Sequence, residues 1–175
     1  MARQYGSQSW VDSRVVVGDT LDKGKGMFAC QPITIGEIVI VWGGKLFSQE
    51  DIDSRRFKPH TAAAIAEGVY LAGDVGDEDL PDEFTNHSCD PNLWMMDEVT
   101  ISARRNIDAG EELTADYAMW EGDERWIAQW ECRCGSRLCR KVITGKDWRL
   151  PDLQRRYKGH FSPFMNQRIA HLTGD

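Results

Sequence analysis

Three of the chain's five cysteines, Cys132, Cys134 and Cys139, fall within the ten residues CRCGSRLCRK. The C-x-C-x4-C spacing lets three thiolates close on one tetrahedral ion, and a structural zinc takes four such ligands. A fourth must come from elsewhere, and Cys30, Cys89 and four histidines are the candidates. Cys30 follows Met27-Phe28-Ala29 in a strand-like apolar run, where an inert core thiol is expected. Cys89 lies in a polar stretch from which a side chain can be aimed at a ligand.

That stretch, FTNHSCDPN from Phe84 to Asn92, has neither helical nor strand period. Its residues are the types that bond their own backbone, turn the chain or bind a ligand. Upstream, DKGKGMFAC offers Gly24-Lys25-Gly26. Alone it reads as a turn between strands, without the third glycine and strand-to-helix setting of a dinucleotide site.

The elements that must position these groups are short. Runs at 14–17, 37–42, 69–72, 99–103 and 112–115 are rich in β-branched residues and predict strands. Helices are expected at 48–56, over the alanine-rich 60–67, and at 124–130, 151–157 and 163–172. The fold class is therefore mostly β with short helices. At 175 residues the chain is expected to form one core.

Composition and charge narrow the function. A hydrophobic share of 41% and a charged share of 28% are those of a globular protein. No apolar run is long enough to cross a bilayer. The stretch MARQYGSQSWVD lacks an apolar h-region, which predicts no secretion signal and an intracellular place, cytoplasm or nucleus. There thiols stay reduced, which favours metal binding over disulfides. Residues 131–175 hold ten Lys/Arg against four Asp/Glu, so the other 130 residues carry −13 of a total of −7. The block Asp74 to Glu83 alone has six acids and no base. Such a body repels nucleic acid and attracts a Lys/Arg-rich partner.

Taken in order, KGKGMFA, IGEIVIVWGG, NHSCDPN, GEELTADY and CRCGSRLCR resemble the SET-domain protein lysine methyltransferases. The motifs span Gly24 to Arg140. The resemblance implies several small β-sheets around a pseudoknot made by the NHSC segment. The implied division is a SET domain over 11–130, a post-SET zinc module over 131–145 and a C-terminal helical extension over 146–175. It further implies S-adenosylmethionine as methyl donor, bound by Lys23, Gly24, Lys25, Gly26, Tyr70, Asn86 and His87. One structural zinc would be held by Cys89, Cys132, Cys134 and Cys139. Tyr117 would be catalytic, and a substrate channel would run past Trp42, Met95, Ala115 and Tyr117.

Three departures from the family pattern bear on substrate and product. Val41-Trp42 stands where Glu-Tyr is common, and Glu83-Phe84 where Arg-Phe is common, so an ion pair there is expected to be absent or reversed. Ala115 stands where many members carry Phe or Tyr, which predicts room for more than one methyl group. The alternative to an enzyme is a catalytically silent SET-fold module that binds a basic peptide. A small-molecule methyltransferase is disfavoured, because those use a doubly wound α/β sheet.

Overall fold

The computed structural model describes residues 4–173, so the first three residues of the N-terminal stretch and the last two of the C-terminal extension lie outside the described residues. Three small sheets carry the chain. The first runs β1 (Trp10–Val11), β4 (Ile38–Val41), β10 (Thr100–Ala103), β9 (Leu93–Met95), antiparallel throughout. All four residues of the interior strand β10 are buried, so it is packed on both faces and shows no polar–apolar alternation. The second runs β2 (Val15–Asp19), β3 (Lys25–Ala29), β11 (Glu112–Ala115), β8 (Asn86–His87). Here β11 and β8 are parallel, with Thr114 opposite Asn86 and Ala115 opposite His87. The third runs β5 (Lys45–Ser48), β7 (Val69–Ala72), β6 (Ala63–Ala66).

Helices are few. The first, α1 (Gln49–Asp53), begins in a capping box between Ser48 and Asp51. Proline at the first turn starts α2 (Pro151–Arg156), and α3 (Pro163–Thr173) ends the described chain.

Three expectations are corrected. The alanine-rich 60–67 segment is not a helix: it supplies β6, paired with β7 through a bulge between Ala64 and Ala66. An isolated helix of eight residues cannot repay its nucleation cost, whereas an edge beside β7 offers ladder bonds to its backbone. Residues 124–130 form no helix either. Their backbone bonds outward, with Ala128 N–H on the Ile143 carbonyl and Gly145 N–H on that of Trp126, both at 2.9–3.0 Å. Cys30 is exposed rather than a core thiol, because β3 ends at Ala29 and the next residue turns outward.

One core draws on all three sheets and on the C-terminal extension, whose Trp148, Leu153, Tyr157, Phe161, Phe164 and Met165 are buried in it. A separate small cluster gathers Cys89, Cys132 and Ile143, with Trp126, Ala128, Cys134 and Cys139 against it.

Candidate functional site: a cysteine cluster beside an aromatic cleft

The NHSC segment is held in place by its flanks. Asn92 is buried, and its side-chain oxygen accepts the Thr114 N–H at 2.8 Å while its amide donates to the Glu112 carbonyl at 2.8 Å. The side chain thus continues, from 92, the pairing that β8 begins against β11. Between these two anchors the chain must leave the ladder, and Ser88, Cys89 and Asp90 fall in that excursion.

Cys89 enters the sulfur cluster there. The Sγ atoms of Cys89, Cys132, Cys134 and Cys139 all lie within 4.8 Å of one another, with Cys89 and Cys132 3.9 Å apart. Four sulfurs at ~2.3 Å from one zinc would sit about 3.8 Å apart, so the set fits that ion with a small contraction. Burial pushes the Cys89 thiol up to about 11 and raises that of Cys132 as well. A bound cation is what would hold such buried sulfurs as thiolates.

His87 supports the same sulfur. Burial lowers its pKa to about 4, so the ring is neutral at physiological pH. The Tyr117 N–H points at Nδ1 across 3.4 Å, which leaves the ring proton on Nε2, 3.3 Å from Cys89 Sγ. Its ring nitrogens are therefore turned inward, toward the cluster and the Tyr117 backbone.

On the other side of Asn86 sits the glycine pair. Asn86 Nδ2 donates to the Lys25 carbonyl and to Glu112 Oε1, both at 2.9 Å, and Lys23 Nζ reaches Glu112 Oε2 at 2.7 Å. A side chain at Gly26 would collide with Asn86 Nδ2 at 2.9 Å and Glu112 Oε1 at 3.0 Å. Gly24 has φ +75°, which favours glycine. Both glycines thus have a local reason that needs no ligand.

These groups border a cleft of about 460 Å³, lined by Asp22, Lys23, Asn86, His87 and Tyr117, with 130–134 completing the wall. Tyr117 closes it. Its hydroxyl donates to the Thr85 carbonyl at 2.8 Å, and burial pushes its pKa up to about 12, so it stays protonated. Its ring centroid lies 5.2 Å from that of His87, 5.6 Å from Trp120, 6.3 Å from Trp126 and 6.4 Å from Trp130. Trp120 in turn meets Trp42 edge-on at 5.0 Å.

The other expected site residues are placed less directly. Trp42 reaches Tyr117 only through Trp120, and also borders a second hollow of about 30 Å³ that shares no lining residue with the cleft. Ala115 and Met95 are fully buried in the core. Tyr70 lies outside the cleft wall: it is buried on β7 and donates its hydroxyl to Gln49 Oε1 at 2.7 Å. Gly24, Lys25 and Gly26 lie behind Lys23 rather than in the cleft lining. At Glu83 the ion pair has an acid on the knot side, bonded to Lys58 Nζ at 2.8 Å. Residues not anticipated are Asp22, Glu131 and Arg133 in the wall, the three tryptophans around Tyr117, and Glu112. Glu112 stands inside the quoted GEELTADY, but nothing in the motif says which amide it will meet.

Comparison with known proteins places this geometry. The SET domain family model matches residues 24–118. The histone-lysine N-methyltransferase ash1 of Drosophila melanogaster is 30% identical over 77% of this chain, which covers 6% of that protein. The probable histone-lysine N-methyltransferase set-23 of Caenorhabditis briggsae is 29% identical over 78% of the chain and 63% of its own length. The chain thus spans less than two thirds of either relative. Among solved structures, the methyltransferase domain of human SETMAR superposes with a TM-score of 0.60 at 20% identity, over 76% of this chain and 58% of that one. Arabidopsis thaliana SUVH6, solved in complex with SAM, gives 0.59 at 19% identity over 75% and 33%. At such identities the likeness is one of fold.

Proposed function

The chain belongs to the SET-domain family, and we propose that it is a protein-lysine N-methyltransferase that uses S-adenosylmethionine on a Lys/Arg-rich, histone-like protein. The observation that carries this is Tyr117, its hydroxyl fixed by Thr85, at the end of a cleft bordered by Lys23, Asn86 and His87. The relatives are named for this activity. A zinc held by Cys89, Cys132, Cys134 and Cys139 would keep the wall at 130–134 in place.

S-adenosylmethionine supplies a sulfonium methyl group for in-line displacement by an amine. The protein's task is to bring the amine there uncharged. Lysine's reference pKa of ~10.4 leaves about one amine in a thousand neutral at pH 7. The aromatic rings of Tyr117 and Trp130 in the cleft wall, with Trp120 and Trp126 packed against Tyr117, disfavour the ammonium by desolvation. The Tyr117 hydroxyl, committed as donor to Thr85, offers its lone pairs to polarised C–H or N–H groups in the cleft. Lys23 is neutralised by Glu112, so it adds no net repulsion toward a cationic donor. Orientation of the two reactants then supplies most of the acceleration.

The test is incubation of the full chain with methyl-labelled S-adenosylmethionine and a panel of histones and other basic proteins. Label is expected on lysine, and Tyr117→Phe is expected to cut turnover at least ~10-fold while cofactor affinity stays within a few-fold. Absence of label on every basic protein, with cofactor still bound, would leave the silent peptide-binding module as the better reading.

A further inference from the structure

Asp116, the residue before Tyr117, is completely buried, and its carboxylate is held by a residue of the cysteine segment. Arg140 Nη1 and Nη2 donate to Asp116 Oδ2 and Oδ1, both at 2.7 Å, while Arg140 Nε donates to Asp147 Oδ2 at 2.8 Å. The same arginine follows Cys139, and its backbone N–H donates to Cys89 Sγ at 3.3 Å. We propose that Arg140 is a positioning residue that couples the state of the cysteine cluster to the backbone carrying Tyr117, with the C-terminal extension as its buttress. This rests on Tyr117 being the catalytic residue of the proposed reaction.

The bonds around Asp116 give the coupling its path. Asp116 Oδ1 accepts the Ala118 N–H at 3.1 Å and so caps the 3-10 turn Tyr117–Met119. Asp116 Oδ2 accepts the Tyr157 hydroxyl at 3.1 Å. Asp147 is itself buried and takes the Thr144 hydroxyl at 2.7 Å on its other oxygen. From α2, Arg156 Nη1 donates to the Cys89 carbonyl at 3.0 Å. The sulfur cluster, through the Arg140 backbone N–H, and the turn bearing Tyr117 and the extension, through its guanidinium, therefore meet at one residue.

Charge makes this contact more than a tether. Asp116 and Asp147 are two buried carboxylates that share the Arg140 cation. Withdrawing Arg140 would leave both acids uncompensated, which is far costlier than losing an exposed pair. If the cysteine segment loosens, the Asp116 cap is expected to loosen with it, because the two states share one free energy. Lysine cannot replace the arrangement, since only the guanidinium fork reaches two oxygens of one acid and a third on another.

Amide hydrogen exchange on the intact full chain tests the coupling without reference to activity. In the wild-type protein a zinc chelator is expected to raise exchange over 117–121 about tenfold, together with exchange over 130–140. Arg140→Lys at full zinc content should already show that rise over 117–121, with little further change on chelation. Wild-type exchange over 117–121 after chelation, or in zinc-loaded Arg140→Lys, would overturn the proposal. Should Arg140→Lys fail to fold or to bind zinc, Tyr157→Phe decides. It leaves Arg140 in place but removes one bond to Asp116, so a few-fold rise over 117–121 is expected and an unchanged rate would overturn it. Turnover is measured in parallel. Lost exchange coupling with active enzyme refutes the coupling alone, and intact coupling without methyl transfer refutes the enzymatic reading alone.

Discussion

Glu121 follows the aromatic turn, and its N–H donates to the Tyr117 carbonyl at 2.8 Å. Its own carboxylate accepts the Asp123 N–H at 2.8 Å, yet burial pushes its pKa up to about 7. A carboxyl that is harder to ionise in the folded chain binds more protons there than in the unfolded one between its ordinary value of 4.5 and about 7. Stability from this group is complete below that window and is lost as pH rises through it, by an amount on the order of 2–3 kcal/mol. Glu121→Gln keeps an acceptor for Asp123 and removes the titration. Urea denaturation at pH 5 and pH 8 should therefore show the wild type losing more stability than the variant over that interval. Parallel losses would mean that Glu121 ionises without strain. Single residues differ in how legible they are from sequence. Tyr117, Asn86 and Cys89 stand in motifs whose order announces them. Trp120 and Arg140 also stand in or beside those motifs, but each meets a partner more than twenty residues away, Trp42 for Trp120 and Asp116 for Arg140. No local pattern encodes that.

Elements show a similar division. Strands rich in Val and Ile, such as β2 and β4, lie within a residue or two of their expected places, because β-branched residues favour a pleated surface wherever they fall. The alanine run at β6 has no such preference, and pairing with β7 decides its state. At 131–145 regular structure is nearly absent among the described residues, and only Cys132, Ile143 and Gly145 are buried. So little apolar burial cannot hold the segment closed by itself. Metal binding would then be local folding free energy. Cys89→Ser is expected to lower zinc content from one per chain and weaken cofactor binding together, at least ~10-fold. Cys30→Ser, at an exposed position outside the cluster, should change neither. Full zinc occupancy and full cofactor affinity in Cys89→Ser, measured by metal analysis and calorimetry, would remove Cys89 from the ligand set.

At the scale of the whole molecule, −13 on residues 1–130 meets +6 on residues 131–175. Part of the basic tail is spent internally, since Arg140 pairs with Asp116, Arg149 with Glu124, and Arg168 with Glu67. The acidic 74–83 block is only partly answered, by Lys45 and Lys58. A Lys/Arg-rich substrate should therefore show an apparent KM that rises several-fold from dilute to physiological salt, with kcat little changed. A KM indifferent to salt would argue that the acidic surface plays no part in recognition. Among the described residues no helix is long and apolar enough to cross a membrane. The buried carboxylate of Asp116 has one further consequence, for the order in which the protein can be made. Its guanidinium comes from position 140 and its last hydroxyl from position 157. During vectorial synthesis the ribosome must therefore release residue 157 before that acid can be enclosed. Until then the turn that bears Tyr117 has only its local bonds to hold it, and a nascent chain stalled upstream of Tyr157 should be an open substrate for proteases.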